Sequence, residues 1–259
     1  MNHIEPIIHI KNLVKSYGNT RVLKDINLEV HSGQVIGYIG PNGAGKSTTV
    51  RLLCGLDGDF GGDISIKNMS IRDETLAVKK LIGYIPEVTE IYDVLTPVEY
   101  LHLIGQLHGL SIEQIDKKIT RLLELFDLSS HKHNRMDTYS KGMRQKVLII
   151  SGLIHDPELI FMDEPMAGLD ANSVLMVKEL ITMLAKEGKT IFYCSHLMDI
   201  VEKISDRIIL IDNGNIIADG SFEALKAKYS GSLESIFATV TGETDQEQKA
   251  KYFIQAMKS

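Results

Sequence analysis

The chain has 259 residues, a net charge of −6 and two cysteines. That length accommodates one sizeable core with a subdomain, and the acidic balance, with Lys and Arg scattered, lacks the basic stripe of a duplex-binding protein. Cys54 and Cys194 make neither a disulfide framework nor a metal spacing and read as buried free thiols in a reducing compartment. The first ten residues lack the charged and apolar regions of a secretory signal, and no run reaches the roughly 18 apolar residues of a membrane span. A cytoplasmic chain is expected, with any pore on another polypeptide.

In chain order, Ile7 to Leu13 and Asn27 to Val30 read as strands around a turn at Tyr17-Gly18-Asn19-Thr20. Val35 to Ile39 is a strand, and a helix is expected over Thr48 to Leu53. Between them lies Gly40-Pro41-Asn42-Gly43-Ala44-Gly45-Lys46-Ser47-Thr48, a full match to G-x-x-x-x-G-K-S/T. Its glycines let consecutive backbone N–H groups wrap an anion, and the helix N-terminus adds positive potential at the same place. In this motif Lys46 reaches the β- and γ-phosphates and the Ser47 hydroxyl binds Mg²⁺. Ile64 to Lys67 and Leu81 to Ile85 are further strands, and the strand–helix–strand crossover around Lys46 implies a parallel sheet.

From about Val88 to Ile154 the pattern turns helical. Capping boxes stand at Thr96-Pro97-Val98-Glu99 and Ser111-Ile112-Glu113-Gln114. Ile112, Ile115, Ile119, Leu122 and Phe126 recur at helical spacing and read as core. Ser140 is a good N-cap for a helix beginning near Lys141. The apolar run Leu159 to Met162 reads as a buried strand that delivers two carboxylates, Asp163 and Glu164, to its C-terminal end. Ligands of α/β folds bind there, where one carboxylate can hold a metal and the next can act on water. A helix with Val174, Val177, Leu180, Ile181 and Leu184 on one face follows, then a strand, Thr190 to Cys194, ending at Ser195 and His196. Arg207 to Ile211 and Asn215 to Ala218 flank the hairpin signal Asn213-Gly214. The tail from Thr241 is polar and partly helical.

These motifs, in this order, resemble the nucleotide-binding subunit of an ATP-binding cassette (ABC) transporter, over about Ile7 to Leu233. Within the resemblance Tyr17 matches the residue that stacks on adenine, with Val22 beside the base, and Gly40 to Thr48 match the Walker A loop. Glu87 occupies the Q-loop position, and Tyr139-Ser140-Lys141-Gly142-Met143 match the family signature. Asp163 matches the Walker B aspartate, Glu164 the catalytic glutamate, Ala167 to Asp170 the D-loop and His196 the switch histidine. Three positions depart from the family pattern: Glu87 stands for the usual Gln, Lys141 and Met143 replace the third and fifth signature residues, and Ala171 follows the D-loop Asp where Pro is common.

The resemblance implies an α/β P-loop NTPase core with a mostly parallel sheet, an N-terminal antiparallel β part and an inserted helical subdomain. The core is expected over about 7–87 and 155–233, the helical subdomain over 88–154 and a tail over 234–259. It implies ATP and Mg²⁺, with Ser47 and Asp163 on the metal and Glu87 touching the metal shell indirectly. Lys46 and His196 would contact the γ-phosphate and Glu164 would serve as general base. Ser140, Gly142 and Met143 would complete the site of a second subunit in trans, and Asp170 would couple the two sites. The implied partners are a second cassette and a membrane permease docking near Glu87 to Val94, with the chain peripheral on the inner face of the membrane and no nucleic acid bound. The YSKGM and IPE segments look most like export-type bacterial cassettes. A regulatory or sensor cassette is the alternative, and a soluble cassette for DNA or translation a weaker one.

Overall fold

The computed structural model describes residues 5–87, 91–242 and 253–257. Strands β1 (Ile8–Tyr17), β2 (Thr20–Val30), β4 (Gly61–Ile66) and β5 (Met69–Ser70) form an antiparallel sheet in the order β2-β1-β4-β5. A six-stranded sheet, β10-β9-β3-β8-β7-β6, combines β3 (Val35–Ile39), β6 (Ile82–Ile85), β7 (Leu159–Asp163), β8 (Thr190–Cys194), β9 (Arg207–Asp212) and β10 (Asn215–Gly220). All its pairings are parallel except β9 with β10. Strands β3, β7 and β8 are buried at every position, which is why they read as continuous apolar runs rather than as alternation.

The parallel arrangement gathers the chain's chemistry. The loops after β3, β6, β7 and β8 leave one common edge of the sheet, and these loops carry Gly40, Glu87, Glu164 and His196 respectively. Helix α1 (Lys46–Leu53) starts at that edge and buries Thr49, Val50, Leu52 and Leu53. The Thr49 hydroxyl donates to the Gly45 carbonyl at 2.9 Å, which leaves the Tyr38 hydroxyl, 3.2 Å away, to donate to Thr49. Through this relay the middle strand of the sheet is tied to the first turn of α1.

Helices α3 (Pro97–Leu107), α4 (Ile112–Leu125) and α5 (Lys141–Leu153) pack on one another, and α5 packs on β6. Both expected capping boxes are formed with both arms. Replacing Ser111 by Ala is expected to cost about 1 kcal/mol, read as a lower urea midpoint at unchanged slope. On α4 the buried stripe is Ile115, Ile119 and Leu123, with Phe126 at its end. Ile112 departs from the expected core stripe. It sits in the first turn, 61% exposed.

Other boundaries differ for identifiable reasons. β1 and β2 run to Tyr17 and from Thr20, well beyond the expected Leu13 and Asn27. Asn12 and Asp25, with φ of 49° and 75°, accompany register shifts in this pair, and bulges break the alternation by which a strand is recognised. Helix α2 (Thr75–Leu81) takes Leu81 from the expected strand. Past position 233, helix α9 (Leu233–Thr241) buries Leu233 and Ile236 in the main core, against α7 (Met198–Ile204) and α8 (Phe222–Tyr229). The expected polar tail beyond Gly242 falls mostly outside the described residues.

Between the helical part and the sheet, the His108 and His155 rings stack at 3.6 Å with 15° between planes. His155 Nε2 lies 2.9 Å from the Ile82 carbonyl, so this nitrogen carries the proton, and the buried Nδ1 has no hydrogen-bond partner. Burial, then His108 and more weakly Lys118, push the His155 pKa from 6.5 down to about 4, against the Ile82 carbonyl and Asp156. A depressed histidine pKa means that the unfolded chain binds the proton more readily. Stability from this group is complete above the ordinary value of 6.5 and declines as pH falls toward about 4. Urea midpoints are expected to fall over that window, and less steeply in His155→Gln.

Candidate active site

A cavity of about 720 Å³ opens at the common strand edge, lined by Asn42, Gly43, Gly45, Lys46, Ser47 and Thr48 of the loop. Tyr17 and Val22 of the antiparallel sheet stand on one side, and Glu87, Asp163, Glu164 and His196 on the other. Twelve expected site residues thus meet in one place.

The loop is a backbone cradle. Gly45 is the N-cap of α1 with φ 110° and ψ 7°, a conformation open to glycine alone at little cost. A Cβ there would also lie 2.5 Å from Leu23 Cδ2. Lys46 Nζ donates to the carbonyls of Gly40 (2.7 Å) and Pro41 (3.1 Å), so the cation spans the loop that precedes it. The amide of buried Ala44 donates to the Pro41 carbonyl at 3.2 Å. A link that the sequence did not suggest comes from the β9–β10 turn. The Gly214 amide donates to the Ala44 carbonyl at 3.1 Å, and the Gly214 carbonyl accepts from Lys24 at 2.8 Å. This hairpin thereby locks the loop to β2.

The acidic side is more ordered than the motif alone implies. Glu164 is 8% exposed and leaves β7 with φ 47°, a left-handed conformation that a non-glycine residue holds only when its surroundings enforce it. Four bonds do so. Its amide donates to the Cys194 carbonyl at 2.9 Å. One carboxylate oxygen accepts from Ser195 Oγ at 3.0 Å. The other accepts from the His196 amide at 2.9 Å and lies 2.7 Å from His196 Nδ1. Beside it, burial raises the Asp163 carboxyl above its ordinary range. A hydrogen bond from Ser47 and the charge of Lys46 oppose the rise, whereas Glu87 and Glu164 reinforce it. Asp163, bonded to the Ser47 hydroxyl and acted on by the Glu87 and Glu164 charges, suits a cation beside it. Among the described residues no cluster of three or more His, Cys, Asp or Glu forms a self-sufficient metal site. Ser47 and Asp163 therefore fit an ion that draws its remaining ligands from phosphate oxygens, as Mg²⁺ does.

Seven expected site residues do not line this cavity: Gly40, Pro41 and Ala44 lie within the loop itself, and the other four sit elsewhere. Ser140 caps α5, its hydroxyl accepting from the Met143 amide at 3.2 Å. A Cβ on Gly142 would lie 2.7 Å from the Gly168 carbonyl, so the signature and the D-loop of the same chain touch where only glycine fits. Met143 packs partly buried against the core. Asp170 caps α6 (Ala171–Lys186), accepting from the Ser173 amide (3.0 Å) and hydroxyl (2.6 Å), with Lys146 Nζ 3.6 Å away. These bonds, the backbone and hydroxyl of Ser173 foremost, hold its carboxyl down near 2. Buried Gln145 adds a bond from Nε2 to the Pro165 carbonyl at 3.1 Å. Helix α5 and the segment after Glu164 are thus joined at three points, which no local pattern announces.

The family model described as ABC transporter matches residues 23–167, from β2 through the loop, the signature and the acidic pair. This chain belongs to the ABC transporter family. It is 35% identical over 236 residues to the linearmycin resistance ATP-binding protein LnrL of Bacillus subtilis (strain 168), covering 91% of this chain and 76% of that one. It is 36% identical over 219 residues to the ABC transporter ATP-binding protein NatA of the same organism, covering 84% and 89%. A solved structure of an ATP-binding subunit of an ABC transporter superposes with a TM-score of 0.85 at 30% identity, over 91% of this chain and 99% of that one. As a member of this family the chain is an ATP-hydrolysing subunit that powers a membrane transporter, and the regulatory alternative is not favoured. Among the described residues no helix is long and apolar enough to cross a membrane.

Proposed function

We propose that this ABC ATPase drives an exporter from the inner face of the cell membrane, and that its reaction runs in a site shared between two cassettes. The observation that supports the catalytic reading most strongly is the Glu164 carboxylate, fixed by Ser195 and His196 beside Asp163 and Lys46.

Phosphoryl transfer to water is accelerated mainly by positioning and by charge stabilisation on the γ-phosphate. Lys46 and the amides of Gly43 to Thr48 supply positive charge to the phosphates, with Gly40, Pro41 and Asn42 shaping the entry to the loop. Ser47 and Asp163 would hold Mg²⁺, which would supply positive charge to the phosphate oxygens, and Glu87 would reach it only through water. Tyr17 and Val22 receive the adenine. Glu164 takes a proton from the attacking water, its carboxylate kept in place by the Ser195 hydroxyl and the His196 amide. With His196 Nδ1 committed to Glu164, Nε2 is the nitrogen left for the γ-phosphate.

Ser140, Gly142 and Met143, at the N-terminus of the 13-residue helix α5, face the ATP of a second cassette, where the helix dipole favours an anion. Their bonds within the chain do not compete with that role. The Ser140 hydroxyl keeps its own proton to donate, and Gly142 holds the signature against the D-loop, so that Asp170 and Lys146 carry a change at one site toward the other.

Export is supported by the likeness, at 35% identity over 214 residues, to a Nod factor export ATP-binding protein of Cupriavidus pinatubonensis. The permease surface is proposed near Glu87 to Val94, of which residues 88–90 lie outside the described residues. Tyr92 and Val94 in this stretch are 65% and 58% exposed, a hydrophobic display that suits a protein partner. Isolation of the tagged chain from detergent-solubilised membranes tests the proposal. An integral membrane protein is expected to come with it in defined proportion. Recovery with ribosomes or DNA instead would contradict it.

A further inference from the structure

Lys15 is a buried cation that takes no part in phosphate binding. It lies near the end of β1 and is only 4% exposed. Burial pulls its pKa down, but the hydrogen bond and charge of Asp57 outweigh this and leave it above the ordinary value, so the side chain is an ammonium. Nζ donates to Asp57 Oδ1 at 2.9 Å and to the Asp59 carbonyl at 2.5 Å. The second oxygen of Asp57, Oδ2, accepts from the Tyr17 hydroxyl at 3.1 Å. The same Lys15 Nζ lies 4.8 Å from the centroid of the Tyr17 ring.

Tyr17 is therefore held twice, at its hydroxyl and on one face, although it is 48% exposed and lines the cavity beside Gly43 and Gly45. An exposed aromatic side chain ordinarily loses rotamer freedom when a ligand stacks on it, and that loss weakens binding. Here the order is already present. A cation over one face also leaves only the opposite face for a ligand. Asp57 belongs to the segment just after α1 (Lys46–Leu53), so the helix that begins at the phosphate cradle ends at the tether of the ring.

We propose that Lys15 and Asp57 are positioning residues that preset the Tyr17 ring as the plate for the base of the nucleotide, an inference that rests on the reading of Tyr17 as the adenine-stacking residue. They act on base affinity and leave the phosphate cradle alone. Asp57 sets the edge of the ring, and Lys15 closes its rear face and fixes Asp57.

The test is calorimetric titration of the full chain with Mg-ATP and, separately, with tripolyphosphate, which reads the cradle without a base. Tyr17→Ala is expected to weaken Mg-ATP by about tenfold, the scale of one stacked base. Asp57→Ala is expected to weaken it by about fivefold, and Tyr17→Phe, which removes only the tethering hydroxyl, by roughly twofold to threefold. Tripolyphosphate affinity should stay at the parent value in all three. Parent-like Mg-ATP binding by Asp57→Ala, alongside a weakened Tyr17→Ala, overturns the positioning role and leaves the plate intact. Parent-like binding by Tyr17→Ala removes the plate, and the proposal with it. Equal losses for both ligands in Asp57→Ala would mark a general disturbance of the fold and also overturn the proposal. If Asp57→Ala does not fold, Tyr17→Phe decides alone, because its ring stays and its site is exposed.

Discussion

Replacing Glu164 by Gln is expected to slow ATP hydrolysis by about 10²- to 10⁴-fold, the range a positioned general base supplies, while ATP affinity changes by no more than about twofold. The two effects separate because of how the side chain is held. The amide oxygen of Gln can still accept from Ser195 Oγ or from the His196 amide, which now bond the carboxylate at 3.0 and 2.9 Å. The shape of the site is kept, and what disappears is the negative charge that takes the proton from water. Single-turnover phosphate release, with nucleotide binding measured on the same protein, checks this. Hydrolysis at the parent rate would move the base elsewhere, with Asp163 and Glu87 the other carboxylates in the cavity. Loss of binding together with rate would mean that Glu164 acts by shaping the site.

The second large effect is on stability. Phe192→Ala is expected to cost about 3–5 kcal/mol and to lower Tm by roughly 6–20 °C. Phe192 is fully buried in β8, with its ring 4.9 Å from Tyr38 and 5.6 Å from Phe161. It therefore packs against β3 and β7, two of the strands that lead into the site. A shift of the adjoining Tyr38 ring into the space would disturb its hydroxyl, which reaches Thr49 at the start of α1. Thermal unfolding reads the loss. Leu175→Ala on α6, where Leu175 is 60% exposed, is the comparison and should shift Tm little. Because β8 also delivers Ser195 and His196, Phe192→Ala should weaken nucleotide-dependent stabilisation as well.

The phosphate cradle and the acidic strand end were legible in the sequence because each depends on local spacing. The P-loop glycines, the apolar run before Asp163 and the capping residues Thr96, Ser111 and Ser140 act within a few residues of themselves. The hairpin at Asn213-Gly214 was legible for the same reason, with φ of 46° and 76° at the two residues. What stayed hidden depends on distance along the chain. Ser195 is 31 residues from Glu164, and Asp57 is 42 from Lys15, and nothing in either segment names the other. The family resemblance ends at about Leu233, whereas helix α9 continues to Thr241 with only Leu233 and Ile236 of its nine residues buried, too few for a periodic signal. Spacing alone places Ile112 in the core stripe, but its position in the first turn of α4 exposes it. The family resemblance supplied roles that no local rule yields, notably for Tyr17 and for Ser140 in trans.

The shared site is tested most directly by light scattering on Glu164→Gln with and without Mg-ATP, since slow hydrolysis should hold the closed state. A monomer that becomes a dimer only with Mg-ATP, and stays a monomer when Ser140→Arg is added, is the expected result. A monomer throughout, despite tight ATP binding, would contradict a site completed by a second copy of this chain.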